Sequence, residues 1–344
     1  MNKSTQDHQK YTSNNSSTNE ITSFWHQGEF NSFLSDHKVT IHYAIFIHKQ
    51  KNQQHITDTT KDYPAIVVVP GRGESYLKYQ ELIFDLYQQG YDVFILDHRG
   101  QGLSTRLLPN LNKGYVTKFQ DYVDDLHYFI EHIVIKYNAT KPYLLAHSMG
   151  GAIAVRFMQD SSNAIKAAVI ASPMLGFNSG YIPTSLATKV VTIKLALNNL
   201  ISKSPWYFLG QKDYAPVTFI KNKLTHSRQR YQVFVNTYKH TKSIQLGGVT
   251  THWIMQGIIA QKEIFSRISQ LKTPILLLQA SDDIVVCLKA QNDFCLTLHT
   301  LQPKLYPNSE PVKIEGAYHE LFFELDEYRD KAITQSIAWF KQHA

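Results

Sequence analysis

The chain has 344 residues, 35 Lys+Arg against 28 Asp+Glu, 43% apolar residues and two cysteines, which excludes global disorder and allows either two domains or one large α/β domain with an insertion. The formal charge of +7 and the 16 histidines favour anionic surfaces, but no run of five basic residues and no basic helix stripe interleaved with aromatics points to nucleic acid. Two cysteines cannot build a disulfide framework, and no stretch reaches the ~18–20 apolar residues of a membrane span.

A reducing, cytoplasmic setting is therefore expected, with peripheral attachment to an anionic membrane still compatible. The first eight residues lack the apolar region of a signal peptide. Residues 1–20 are dominated by Ser, Thr, Asn, Gln and Lys and read as a flexible polar tail. Alternation over 39–47 predicts a half-buried strand, and the polar stretch 49–61 predicts a loop.

From residue 65 the grammar changes. Ala65-Ile66-Val67-Val68-Val69, Val93-Phe94-Ile95-Leu96, Tyr143-Leu144-Leu145-Ala146 and Ala168-Val169-Ile170 are short apolar runs with no polar side, as expected of parallel strands buried on both faces. The segments 79–89, 119–137 and 150–159 have the length and spacing of crossover helices. Together they predict a doubly wound α/β fold with a mostly parallel sheet. Strand grammar stops at about 174 and resumes at Pro274-Ile275-Leu276-Leu277-Leu278, with a last strand near 312–314 and a C-terminal helix. The expected organisation is a core of 21–173 and 262–344 interrupted by a helical cap over 174–261. Cys287 and Cys295 fall in one expected helix.

The sharpest motif is Ala146-His147-Ser148-Met149-Gly150-Gly151, between a buried strand and a helix. Small residues flanking a serine there match a nucleophile elbow, with Ala146 in place of the usual first glycine. A serine hydroxyl needs a base, and the base needs an orienting acid. His319, just after the last strand, is the candidate base. Ser281-Asp282-Asp283, after the strand at 275–278, offers two carboxylates, of which Asp283 is favoured and Asp282 is the fallback. Two backbone N–H groups should face the oxyanion: Met149, next to the serine, and Arg72 in the loop Pro70-Gly71-Arg72-Gly73-Glu74. Asp97-His98-Arg99-Gly100-Gln101-Gly102 reads as a hydrogen-bonded loop scaffold. The third glycine of a dinucleotide fingerprint is missing, no His/Cys cluster has metal-ligand spacing, and neither a cofactor nor a metal is expected.

These strings resemble the monoglyceride-lipase and lysophospholipase branch of the α/β-hydrolases, most of all its bacterial L2-type lysophospholipases. The likeness extends through Leu224-Thr225-His226-Ser227-Arg228-Gln229-Arg230-Tyr231, Leu246-Gly247-Gly248-Val249-Thr250-Thr251-His252-Trp253 and Ile314-Glu315-Gly316-Ala317-Tyr318-His319-Glu320, over roughly residues 30–340. It implies an α/β-hydrolase fold and hydrolysis of the acyl ester of a lysophospholipid on the cytoplasmic face of the membrane. Acyl transfer to another lipid is a second outcome. Monoacylglycerol lipase or general esterase activity is the alternative, and a lipid-binding protein without catalysis is the non-enzyme alternative. Ser148 and His319 carry over as nucleophile and base. The aromatic-rich cap suits an acyl pocket, with Trp253 a candidate for lining it. Arg228 and Arg230, with Lys221 and Lys223, are candidates for pairing a phosphate.

Overall fold

The computed structural model describes residues 18–48, 63–138, 140–178, 180 and 183–344. Most of the tail expected over 1–20 and the loop expected over 49–61 lie outside the described residues. Eight strands form one sheet: β1 (Glu29–Ser35), β2 (Val39–Phe46), β3 (Ala65–Val69), β4 (Asp92–Leu96), β5 (Tyr143–His147), β6 (Ala168–Ala171), β7 (Ile275–Ala280) and β8 (Val312–Ile314). Their spatial order is β1-β2-β4-β3-β5-β6-β7-β8. β1 and β2 pair antiparallel, as do β2 and β4, and every later pairing is parallel.

β3 to β7 are buried at every position, which is why they are apolar throughout. Alternate residues divide between two apolar layers. Val67, Phe94, Leu144, Ile170 and Leu277 join the layer under α3 (Gln120–Phe129), α4 (Ile135–Tyr137), α5 (Met149–Asp160) and α9 (Leu288–Leu301). Ile66, Val93, Leu145, Val169 and Leu278 join the opposite layer, which is closed by α1 (Thr18–Trp25), α2 (Gln80–Gln88) and α10 (Asp326–Gln342). This is the expected doubly wound arrangement.

Two elements have no counterpart in the sequence reading. Helix α1 takes in residues 18–20 of the stretch expected as tail, because Phe24 stacks on Phe46 of β2 and Trp25 packs against the same ring. Strand β1 is an edge strand, mostly exposed, with Phe33 its single buried residue, so it carries no clear apolar period. The segment between β6 and β7 contains α6 (Thr184–Ile201), α7 (Arg228–His240) and α8 (Thr251–Ser266). The boundary expected at 261 falls inside α8, whose Ala260 and Ile264 belong to the sheet's own apolar layer. Cys287 sits at the N-cap of α9 and Cys295 inside that helix; both are free thiols.

The chain runs from β3 to β4 on one side, then crosses back over β3 to β5 on the other. The strand order thus switches direction between β3 and β5, and the carboxyl edge at such a switch is the usual place for a ligand in these sheets.

Candidate active site

Ser148 lies where β5 hands over to α5, at φ 53° and ψ −117°. This is strained backbone for a residue with a side chain. The strain is held by neighbours: Ser148 N–H donates to Ala171 O at 3.0 Å and its carbonyl accepts Met174 N–H at 2.9 Å. A Cβ at Gly150 would stand 2.1 Å from Val69 O and 2.5 Å from Pro70 O. Glycine is therefore required there for the helix to start against the end of β3. Ala146 in place of the first glycine is fully buried within β5 and fits.

Residues far apart in sequence meet at this turn. His319 Nε2 is 2.9 Å from Ser148 Oγ, and His319 Nδ1 is 2.6 Å from Asp283 Oδ2. All three residues are buried. The second oxygen of Asp283 accepts the N–H groups of Val285 at 2.7 Å and Val286 at 3.3 Å. Asp282 is exposed, and its carboxylate takes a hydrogen bond from Ser281 Oγ at 2.8 Å. Of the two adjacent carboxylates, Asp283 is the one against the imidazole.

The loop after β3 is held so that one N–H remains unspent. Gly71 N–H donates to Glu74 Oε2, and Gly73 N–H donates to Gln101 Oε1 at 3.0 Å. Among the described residues neither Arg72 N–H nor Met149 N–H has an acceptor. The Asp97-His98-Arg99-Gly100-Gln101-Gly102 string builds the scaffold around this loop. Asp97 accepts from Tyr76 N–H at 2.6 Å, Ser75 Oγ at 2.9 Å and Leu103 N–H at 2.7 Å. His98 Nε2 meets Pro70 O at 3.1 Å, and Gln101 Nε2 donates to Gly71 O at 2.8 Å.

A buried ionic cluster that the sequence reading did not single out lies behind His319. Lys78 Nζ bridges Glu74 at 2.8 Å and Glu320 at 2.6 Å. His147 places Nδ1 3.3 Å from Glu74 and Nε2 3.3 Å from His319 O. Tyr79 OH also donates to Glu74. Burial alone would raise the Glu74 carboxyl, but Lys78 and His147 override it and hold it well below the usual carboxylate range. Burial would likewise depress His147, yet Glu74 outweighs it and raises the imidazole. Two carboxylates thus face two cations, and the cluster fixes the backbone that carries His319. The only trace of it in the sequence is a Glu and a Lys four apart at the start of a helical stretch.

The remaining sequence candidates are dispersed. Arg230 does not present a free cation: it forms a fork on Glu81 at 2.8 and 2.7 Å, reaches Asp326 at 2.7 Å and donates to Glu324 O. These contacts brace α7 to the core. Arg228 lies 4.8 Å from the Phe219 ring centroid on the exposed side of α7. Lys221 and Lys223 are exposed. Trp253 is buried, donates to Tyr122 OH at 3.2 Å, and has the Arg72 guanidinium 5.6 Å from its ring centroid.

The family model described as serine aminopeptidase, S33 (Hydrolase_4) matches residues 61–326. The chain belongs to the Hydrolase_4 family of α/β-hydrolases. This hydrolase is 35% identical to lysophospholipase L2 of Escherichia coli K12, over 94% of this chain and 90% of that protein. It is 33% identical to the probable lysophospholipase L2 of Haemophilus influenzae, over 80% of this chain and 82% of that one. In fold it is similar to a soluble variant of monoglyceride lipase from Saccharomyces cerevisiae solved with a substrate analogue (TM-score 0.67, 18% identity, covering 92% of this chain and 96% of that one). The expected fold and family are thereby shown.

Proposed function

We propose that this hydrolase is a lysophospholipase, a serine esterase that cleaves the acyl ester of lysophospholipids through an acyl-enzyme on Ser148. The observation that carries the reading is the hydrogen-bonded series Ser148–His319–Asp283 in a chain 35% identical to lysophospholipase L2. His319 Nε2 takes the Ser148 proton as Oγ attacks the ester carbonyl, and Asp283 holds the Nδ1–H tautomer and stabilises the imidazolium. Arg72 N–H and Met149 N–H receive the oxyanion. Collapse of the tetrahedral intermediate breaks the ester bond, and the imidazolium returns its proton to the departing glycerol oxygen. Water, or the hydroxyl of a second lipid, then attacks the acyl-enzyme by the reverse route.

The helical segment between β6 and β7 serves in this reading as a cap, and the place of work is a membrane surface, reached peripherally. No helix among the described residues is long and apolar enough to cross a bilayer. Support comes from α6, where Leu186, Val190, Ile193, Leu197 and Leu200 are 41–83% exposed. They recur at intervals of three and four residues and so share one face. Lys189 is exposed on the same helix. Such a helix lies in the interface with its apolar side inserted, and each basic residue near an anionic surface adds about 1 kcal/mol.

The deciding experiment compares purified wild type with Ser148→Ala on lysophosphatidylethanolamine and on monoacylglycerol of the same acyl length. Wild type should release fatty acid from the lysophospholipid, and the variant should not. Turnover retained by Ser148→Ala refutes the mechanism, and turnover of monoacylglycerol alone replaces the substrate with the neutral lipid. A fluorophosphonate that fails to label wild-type Ser148 would leave a lipid-binding protein without catalysis.

A further inference from the structure

As Tyr238 does from the cap side by donating to Gly73 O at 2.8 Å, Arg72 joins the oxyanion loop to the cap segment through its side chain. Its backbone sits beside the elbow, while its guanidinium donates through Nη2 to Gly247 O and lies 5.6 Å from the Trp253 ring centroid. A Cβ on Gly114 would fall 2.8 Å from Nη2 and 3.3 Å from Nε, so the glycine at 114 makes room for the group. No carboxylate among the described residues lies within ion-pair distance of it. Glu74, two residues on, is committed to Lys78, His147 and Tyr79. Nε is buried with no acceptor.

A brace to one carbonyl needs one neutral donor, and a glutamine would supply it. Burying a full cation for that purpose leaves its charge uncompensated, a cost that a ring face meets only in part. Burial lowers the Arg72 guanidinium to about 10, and only Tyr122 and Tyr207 push back. The other two arginines expected near a phosphate differ from it: Arg230 is engaged by carboxylates, and Arg228 faces outward on Phe219.

We infer that the guanidinium of Arg72 is the ligand for the phosphodiester of the lysophospholipid head group, so that one residue binds the oxyanion through its N–H and the phosphate through its side chain. The inference rests on the lysophospholipid reading above and adds to it the residue that separates anionic from neutral lipid esters. The lengths agree. From the ester carbonyl carbon to phosphorus in a 1-acyl lysophospholipid is roughly six bonds, and from an arginine N to its Cζ is also roughly six. A bidentate guanidinium–phosphate pair would use the unspent N–H groups and neutralise the charge.

The test is the ratio of kcat/KM for 1-palmitoyl lysophosphatidylethanolamine over 1-monopalmitoylglycerol, measured in wild type, Arg72→Gln and Arg72→Lys. Because both substrates share the acyl ester, any damage to the ester machinery divides out. The ratio should fall at least tenfold in Arg72→Gln and less in Arg72→Lys, with the loss mainly in KM for the phospholipid. A ratio within twofold of wild type in Arg72→Gln overturns the assignment. Should Arg72→Gln lose Ser148 labelling by fluorophosphonate, Arg72→Lys and competition in wild type decide: sn-glycerol 3-phosphate should inhibit where glycerol does not, and equal inertness of the two overturns it. A wild type that cleaves monoacylglycerol but no lysophospholipid refutes the proposed function itself, an outcome distinct from an unchanged ratio in an enzyme that cleaves both.

Discussion

Asp283→Asn is the substitution whose outcome can be worked out most fully from the geometry. Asparagine keeps Oδ1, so the Val285 and Val286 N–H groups retain their acceptor and the turn after β7 should hold. The group facing His319 Nδ1, 2.6 Å away in wild type, becomes an amide N–H. Two donors cannot face each other, so the imidazole is driven to the tautomer with its proton on Nε2, where it cannot accept the Ser148 proton. The same change in a Ser-His-Asp site costs about 10⁴ in kcat, or roughly 5.4 kcal/mol of transition-state stabilisation at 1.36 per decade. Asp282→Asn is the matched comparison, since its carboxylate is exposed and bonded to its neighbour Ser281. It should stay within a factor of about 3 of wild type, as surface changes rarely exceed ~0.5 kcal/mol. The assay is kcat/KM on a short-chain p-nitrophenyl ester, which needs neither cap docking nor a membrane, with thermal denaturation to check that both variants are folded. The reasoning fails if folded Asp283→Asn keeps activity within tenfold of wild type, or if Asp282→Asn is the more damaging of the two.

Gly150→Ala should lose at least about 3 kcal/mol of stability along with fluorophosphonate labelling, because the new methyl meets backbone oxygens that cannot move aside; a wild-type melting temperature would contradict this. Glu74→Gln should destabilise by about 3–5 kcal/mol at pH 5.5, since it breaks a buried ionic cluster. The pH sign follows from the two shifts. His147 is raised, so its contribution is full below about 6.5 and fades as pH rises through the folded value. Glu74 is depressed, so its contribution is present above about 4.3 and fades on acidification. The wild-type margin should therefore be greater at pH 5.5 than at alkaline pH, where the His147 contribution fades while the Lys78 and Tyr79 contacts persist, and denaturation curves showing an equal margin at both would refute the assignment. Ile193→Glu with Leu197→Glu should cut binding to anionic vesicles at least about tenfold while p-nitrophenyl ester turnover persists; sedimentation with unchanged binding would remove α6 from the membrane contact.

The buried run of each parallel strand, the serine between strand and helix, and the position of His319 were legible because each depends on local pattern. A strand buried on both faces must be apolar at successive positions, and an elbow must carry small residues beside its serine. Edge strand β1 leaves no such pattern because a largely exposed strand is under no such constraint. The insertion end expected at 261 lies inside α8 because that helix is apolar on more than one side, packing on both α5 and α6.

What sequence could not decide was direction. Asp282 and Asp283 are equivalent as letters, and only the turn after β7 points one at His319 and the other at solvent. Arg230 and Arg72 are both basic residues in motifs of the family, yet the first ends among carboxylates and the second beside an aromatic ring with its charge unmet. The availability of a charge depends on partners brought from remote parts of the chain, Glu81 and Asp326 in one case and Gly247 and Trp253 in the other. Local composition thus specified the layers and the hydroxyl, whereas the assembled three-dimensional packing determined which charges are spent on holding the fold and which remain free to meet a ligand.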